Sequence, residues 1–258
     1  MTQALPKAGR RPVRFALQFS ALALVNVLYL PLLILATLLS AGRLARPMVR
    51  GWGYSMLWIA GVQLVIEPEA RRELGRRRRR VVTFNHCSTM DMFLMTALWP
   101  PRGAAVIKRE MLNLPVMGQA MRFLDFIALD RSDRGKSAAM LSEAAARMRA
   151  RELTVMVAPE GTRSMTGELQ RFKLGAFHMA AEADAPIVAV VLHGTRQLWP
   201  RNQSHCNRGR VTVRVLAEQP SGAGDTTPEA FHARADALRT RYAEALDEMA
   251  RTVPVLRG

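Results

Sequence analysis

Residues 81–91 read Val-Val-Thr-Phe-Asn-His-Cys-Ser-Thr-Met-Asp, an apolar β-branched run that ends at Asn85-His86 and passes at once into a helical pattern. The run reads as a buried strand, and the residues after it as the turn into a helix over 89–99. The same alternation recurs along the chain. Strands are expected at 62–67, 81–85, 104–107, 126–129, 153–158, 187–193 and 211–216. Helices are expected at 116–123, 136–150, 176–183 and 228–249, the last opening on Pro228, a favoured first-turn residue. Short apolar strands alternating with helices imply an α/β fold, a mixed and largely parallel sheet flanked by helices. Open sheets of this kind place their sites at the C-terminal strand ends, which is where His86 falls.

Upstream of that strand the chain changes character. Of 258 residues, 37 are Lys or Arg and 21 are acidic, a formal charge of +16, so the expected partners are anionic: nucleic acid, a phospholipid surface or a phosphorylated substrate. Residues 1–80 hold 14 of the basic residues and only 3 of the acidic ones. They also contain residues 15–41, 27 positions without a charge. That is longer than a signal-peptide core and long enough to enter or cross a bilayer, which takes about 20 helical residues. Basic residues flank it on both sides, Lys7, Arg10, Arg11 and Arg14 before and Arg43, Arg46 and Arg50 after. With Asn26 and Pro31 near its middle, the segment is expected to bend, enter one leaflet and return, with both ends cytoplasmic. A second apolar stretch, 52–66, comes after a break at Arg46-Pro47 and is expected to lie against it. The arginines at 76–80 are expected at the surface, against anionic lipid, because unpaired guanidinium groups resist burial. The two cysteines, Cys87 and Cys206, build no disulfide framework and fit a reducing compartment.

Three segments carry chemistry. In the first, His86 at a strand end is followed five residues later by Asp91 in a helical first turn, so the carboxylate folds back onto the imidazole. A carboxylate on one ring nitrogen fixes the tautomer and raises the basicity of the other, as a general base requires. In the second, Ala158-Pro159-Glu160-Gly161-Thr162-Arg163-Ser164 turns directly after a strand and presents a hydroxyl and a guanidinium above the sheet, a natural phosphate cradle. In the third, 126–131 delivers Arg131 at another strand end. A base beside a phosphate site points to proton abstraction from a hydroxyl of a phosphorylated molecule. Ser88 and Cys87 adjoin His86, but neighbouring side chains on an extended segment point to opposite faces, so neither is placed as a nucleophile. His86-Cys87 and His205-Cys206 lack the usual spacing of metal ligands.

These segments, in this order, resemble the glycerolipid acyltransferases, the 1-acyl-sn-glycerol-3-phosphate acyltransferase family. The first block of that family matches Asn85, His86 and Asp91. The second matches Lys108, Glu110, Pro115, Gly118, Phe126, Ile127 and Arg131, the third Pro159 to Ser164, and the fourth residues 186–191. Phe172, Lys173, Gly175, Ala176 and Phe177 fit as well. The resemblance covers roughly residues 52–200. The chain departs from the family at Thr89, usually aromatic, and at Cys87, Ala158 and Ala189. What the resemblance implies is a membrane-bound O-acyltransferase in which His86 takes the proton of an acceptor hydroxyl and Asp91 stabilises the imidazolium. The alkoxide then attacks the thioester of acyl-CoA or acyl-carrier protein, with no covalent acyl-enzyme, no metal and no cofactor beyond the acyl donor. By the same resemblance Lys108, Arg131, Glu160, Gly161, Thr162 and Arg163 bind the acceptor, with Arg131 and Arg163 on its phosphate.

The expected organisation is a basic N-terminus and membrane-anchoring segment at 1–51, the α/β acyltransferase domain at 52–218, and a linker and C-terminal helix at 219–258. The expected partners are lysophosphatidic acid, the acyl donor and membrane phospholipids, with no nucleic acid. The expected place is the inner membrane, with the site on the cytoplasmic side. Glycerol 3-phosphate or a lyso aminolipid is the alternative acceptor, and a non-catalytic basic protein binding membrane or nucleic acid is the alternative of a different class.

Overall fold

The computed structural model describes residues 12–40, 43–114, 117–124, 126–129, 134–200, 203 and 206–255. In chain order the elements are α1 Pro12–Leu39, α2 Ala45–Ala60, β1 Val62–Ile66, α3 Pro68–Gly75, β2 Arg80–Phe84, α4 Met90–Ala97 and β3 Gly103–Lys108. A single 3₁₀ turn, Arg109–Asn113, leads to α5 Met117–Phe123, β4 Ile127–Leu129, α6 Arg134–Arg151, β5 Thr154–Val157 and α7 Gly175–Glu182. The chain closes with β6 Ile187–His193, α8 Thr195–Leu198, β7 Gly209–Val215 and α9 Pro228–Thr252. All seven expected strands form, with ends moved by a residue or two.

The strands make one sheet in the order β1-β7-β6-β2-β5-β3-β4. The five strands from β6 to β4 run parallel, whereas β7 pairs antiparallel with β6, and β1 lies parallel to β7. The C-terminal ends of β2, β3, β5 and β6 therefore gather along one edge, delivering His86, Lys108, the 158–164 loop and Thr195 to one side of the molecule. Alternation along the strands sends side chains to opposite faces. Val82, Met156, Val188 and Val190 join a core with α1, α2 and α4, and Val81, Val155, Ile187 and Val191 join one with α6, α7 and α9. Covering both faces buries every residue of β6, which is why the central strands read as continuous apolar runs.

α1 and α2 form an antiparallel pair over the first face. The Gln18 amide reaches the Ile59 carbonyl at 3.5 Å, Asn26 lies against Met56, and the Tyr29 hydroxyl donates to the Met48 carbonyl at 2.9 Å. Gly53 lets α2 approach α4 closely, since a Cβ there would sit 2.3 Å from the Ala97 nitrogen. Residues 16–36 of α1 are long and apolar enough to cross a membrane. Leu17, Leu24, Leu28, Leu32 and Leu39 are exposed along it, as is Trp58 on α2.

Three expectations are corrected here. α1 continues through Pro31 as one 28-residue helix, roughly 42 Å long at 1.5 Å per residue, so the chain reverses after α1 and not within it. Pro47 falls in the first turn of α2, where a missing N–H costs nothing, so it does not break the helix. The 52–66 stretch is two elements: Gly61, in a left-handed conformation, ends α2, and β1 comes next.

The arginine run is the fourth correction. Arg80 is fully buried, donating from Nη1 to Glu73 Oε1 at 2.6 Å and to the Glu73 carbonyl at 2.8 Å, and from Nη2 to the Arg76 carbonyl at 3.1 Å. Arg78 binds Glu73 at 2.5 Å and also Glu218, and Arg76 reaches Glu73 at 2.9 Å. Burial alone would push the Glu73 carboxyl up, but the Arg78, Arg80 and Arg76 guanidinium groups outweigh it and hold the pKa below the ordinary value. The run opens β2 at the end of the strand opposite His86, so much of its charge is spent on holding α3 to the sheet.

Candidate active site

Where β2 ends, Asn85 extends the sheet with its side chain. Its Nδ2 donates to the Leu192 carbonyl at 3.0 Å and its Oδ1 accepts from the Leu192 N–H at 2.8 Å, copying a ladder pair between β2 and β6. The next residue is gripped through its backbone. His86 N–H donates to Glu160 Oε1 at 2.6 Å, and its carbonyl accepts from Ser164 N–H at 2.8 Å. The ring therefore projects from a main chain held on both sides by the 158–164 loop.

Asp91, in the first turn of α4, is completely buried. Its Oδ2 accepts three bonds, from the Cys87 N–H at 2.9 Å, the Ser88 N–H at 2.8 Å and His86 Nδ1 at 2.9 Å. Two amides that can only donate require an acceptor at that oxygen, so the ring donates to it from Nδ1, and in the neutral imidazole the lone pair falls on Nε2. The imidazole is partly open, its side chain 24 % exposed. The Cys87 sulfur is no rival nucleophile. Burial and the Asp91 carboxylate push its pKa well above the ordinary thiol value, and it lies 3.4 Å from the Thr195 hydroxyl.

The 158–164 loop turns at Gly161, whose φ of +73° suits a residue without Cβ and over which the Lys173 side chain lies. Glu160 stands behind the site. It is 3 % exposed, and with Oε1 on His86 N–H its Oε2 accepts from Gln170 N–H at 3.0 Å. Burial raises its pKa against the pull of those amides. Gln170 also donates to the Thr162 carbonyl at 3.0 Å, and Arg239 of α9 donates to the Gln170 carbonyl at 3.2 Å. Arg163 Nη1 donates to Thr89 Oγ1 at 2.6 Å.

A cavity of about 580 Å³ opens beside the imidazole, within the usual range of ligand pockets. His86, Lys108, Gly161, Thr162 and Arg163 all line it, so five of the expected site residues share one space. Glu160 and Asp91 brace this wall from behind, and Arg131 lies outside the described residues. The remaining walls are apolar, with Leu30 and Leu33 from α1, Trp52 from α2, Met92 and Met95 from α4, and Met121 from α5. Methionines suit a wall that must adapt to a long flexible chain. Sequence reasoning does not find this wall, Asn85 as a strand clamp, or Gln170. The one signal it offers is the i, i+3 spacing of Met92 and Met95, which equally describes a core face.

The acyltransferase family model matches residues 65–193. A 1-acyl-sn-glycerol-3-phosphate acyltransferase of Cocos nucifera is 29% identical over 196 residues, 76% of this chain and 62% of that protein. The alpha form from Homo sapiens is 34% identical over 159 residues, 62% of this chain and 56% of that protein, and the protein of that name from Saccharomyces cerevisiae is 32% identical over 171 residues, 66% and 56%. The chain thus spans less than two thirds of these relatives' length. In fold it is similar to the crystal structure of the 1-acyl-sn-glycerophosphate acyltransferase PlsC of Thermotoga maritima, with a TM-score of 0.75 and 20% identity over 93% of this chain and 99% of that one.

Proposed function

This chain belongs to the acyltransferase family, and from that premise we propose that it transfers a fatty acyl group from an acyl thioester to the free hydroxyl of 1-acyl-sn-glycerol 3-phosphate, giving phosphatidic acid. The observation that carries this reading is the cavity, which brings the His86 imidazole and the Arg163 guanidinium together with apolar walls from α1 and α2. A lysolipid needs both kinds of surface. The names of the relatives point to the same acceptor.

The residues present supply each step. His86 Nε2 takes the hydroxyl proton as the acceptor oxygen attacks the thioester carbonyl carbon. Asp91, whose Oδ2 is held by two amides, stabilises the imidazolium that results. When the tetrahedral intermediate collapses, the C–S bond breaks and the proton on Nε2 passes to the departing thiolate of CoA or carrier protein. Arg163, with Lys108 and Arg131, receives the phosphate. The exposed leucines of α1 attach the protein to the membrane, and because α1 and α2 wall the cavity, a lysolipid reaches it from the bilayer on the cytoplasmic side. Gly161 and Thr162 shape the phosphate end.

The test is thioester release from palmitoyl-CoA by the detergent-solubilised protein, with lysophosphatidic acid against the matching monoacylglycerol. Release that depends on the phosphorylated acceptor supports the reading. Release with monoacylglycerol at the same efficiency, or none with either, rejects it.

A further inference from the structure

Thr89 begins α4 as its N-cap residue, a position where threonine normally accepts a hydrogen bond from the helix's own free N–H groups. Here it does not cap: its side chain makes no such bond. The first helical amide and the two amides before Thr89 are served by others. Ser88 Oγ accepts from Met90 N–H at 3.0 Å, and Asp91 Oδ2 takes Cys87 and Ser88. The Thr89 hydroxyl is turned to Arg163 instead, accepting from Nη1 at 2.6 Å, and both side chains line the cavity with His86.

A hydroxyl has one proton to give as well as lone pairs to offer. Arg163 cannot accept, so the Thr89 proton is directed elsewhere, and among the described residues no acceptor takes it. A donor hydroxyl polarised by a guanidinium in a largely apolar cavity suits an anionic oxygen.

We propose that Thr89 is a second contact to the acceptor's phosphate monoester: it holds the Arg163 guanidinium in place through its lone pair and donates its own proton to a phosphate oxygen. This inference rests on the acceptor proposed above. In that acceptor the free hydroxyl sits on the carbon next to the one bearing the phosphate, so a phosphate held at Thr89 and Arg163 sets the hydroxyl toward His86.

The experiment measures kcat and the two KM values for Thr89→Val and Thr89→Ser, varying lysophosphatidic acid and palmitoyl-CoA in turn. One hydrogen bond to a charged group corresponds to about a 10-fold rise or more in KM for lysophosphatidic acid in Thr89→Val. The KM for palmitoyl-CoA stays near that of the native protein, and Thr89→Ser restores most of the acceptor affinity. An unchanged acceptor KM in Thr89→Val overturns the inference, and so does a loss shared equally by both substrates, which marks a structural role. If Thr89→Val fails to fold, Thr89→Ala removes the same hydroxyl with less bulk and is read by the same criteria. A native protein that does not acylate lysophosphatidic acid removes the proposed function and this inference together, whereas an active native protein with an indifferent Thr89→Val removes the inference alone.

Discussion

Replacing Asp91 with asparagine asks how much of the chemistry depends on charge and how much on position. Three donors converge on one oxygen, Oδ2, from Cys87 N–H, Ser88 N–H and His86 Nδ1. An asparagine that turned its NH₂ toward that spot would face two amide protons, so it must present its carbonyl oxygen there instead. The imidazole then keeps its proton on Nδ1 and its lone pair on Nε2. What is lost is the negative charge that stabilises the imidazolium, about 1.5 to 3 kcal/mol for a charge-assisted bond. At 1.36 kcal/mol per factor of ten, kcat should fall about 10- to 150-fold. A reversed tautomer would cost far more, on the order of 10⁴. The assay is steady-state thioester release at saturating lysophosphatidic acid and palmitoyl-CoA, with the thermal unfolding midpoint confirming that the variant is folded. A kcat within twofold of native would refute a role for the charge, and a 10⁴-fold fall would refute the argument that the two amides fix the oxygen's position.

The arginine run gives a contrast between neighbours: Arg80→Ala empties a fully buried site and strips the Glu73 and Arg76 carbonyls of their donor, while the half-buried Glu73 carboxylate keeps Arg76 and Arg78, and should destabilise the protein by about 1 to 3 kcal/mol, whereas Arg77→Ala, at an exposed position, should stay within about 0.5 kcal/mol in denaturant unfolding. Because the Glu73 pKa is lowered in the folded state, its stabilising contribution is complete above the ordinary carboxyl value of 4.5 and is lost as pH falls through the lower folded value. Unfolding midpoints measured downward from pH 6 should therefore show a steeper acid decline in the native protein than in Glu73→Gln. Gly53→Ala puts a Cβ against the Ala97 backbone nitrogen and should cost about 1 to 3 kcal/mol by forcing α2 away from α4, seen as a lower unfolding midpoint.

The sheet is legible in the sequence because its central strands are covered on both faces, so β2, β5 and β6 read as short apolar β-branched runs bounded by turn residues. What escapes is structure with weak local signal. α3, Pro-Glu-Ala-Arg-Arg-Glu-Leu-Gly, buries only Ala70 and Leu74, too few positions to show a helical period. The apolar run across Gly61 hides a helix end and a strand start, since hydrophobicity alone does not distinguish them. Arg80 is misjudged because charge runs are usually solvated, and nothing local shows that Glu73 and two carbonyls receive it. The two backbone N–H groups that Glu160 receives, one on each oxygen, are also invisible in the sequence, since pairings between residues 74 and 10 apart are set by tertiary structure. Asp91 is easier, since its five-residue separation from His86 lets a strand-to-helix turn bring the two together. The redundancy of Ser88 and Thr89, two hydroxyls for one helix end, is a local signal, but which of them caps and which faces the cavity depends on Arg163, far along the chain.

The central claim is that the His86 imidazole takes the acceptor's proton, and its most direct test is turnover of His86→Ala with palmitoyl-CoA and lysophosphatidic acid. Among the described residues the ring makes one hydrogen bond, to Asp91, and it is partly open to the cavity, so its removal should leave the fold intact. A positioned general base supplies about 10² to 10⁴ in rate, and kcat is expected to fall by roughly 1,000-fold while the unfolding midpoint stays close to native. A folded His86→Ala protein that turns over near the native rate would contradict the account.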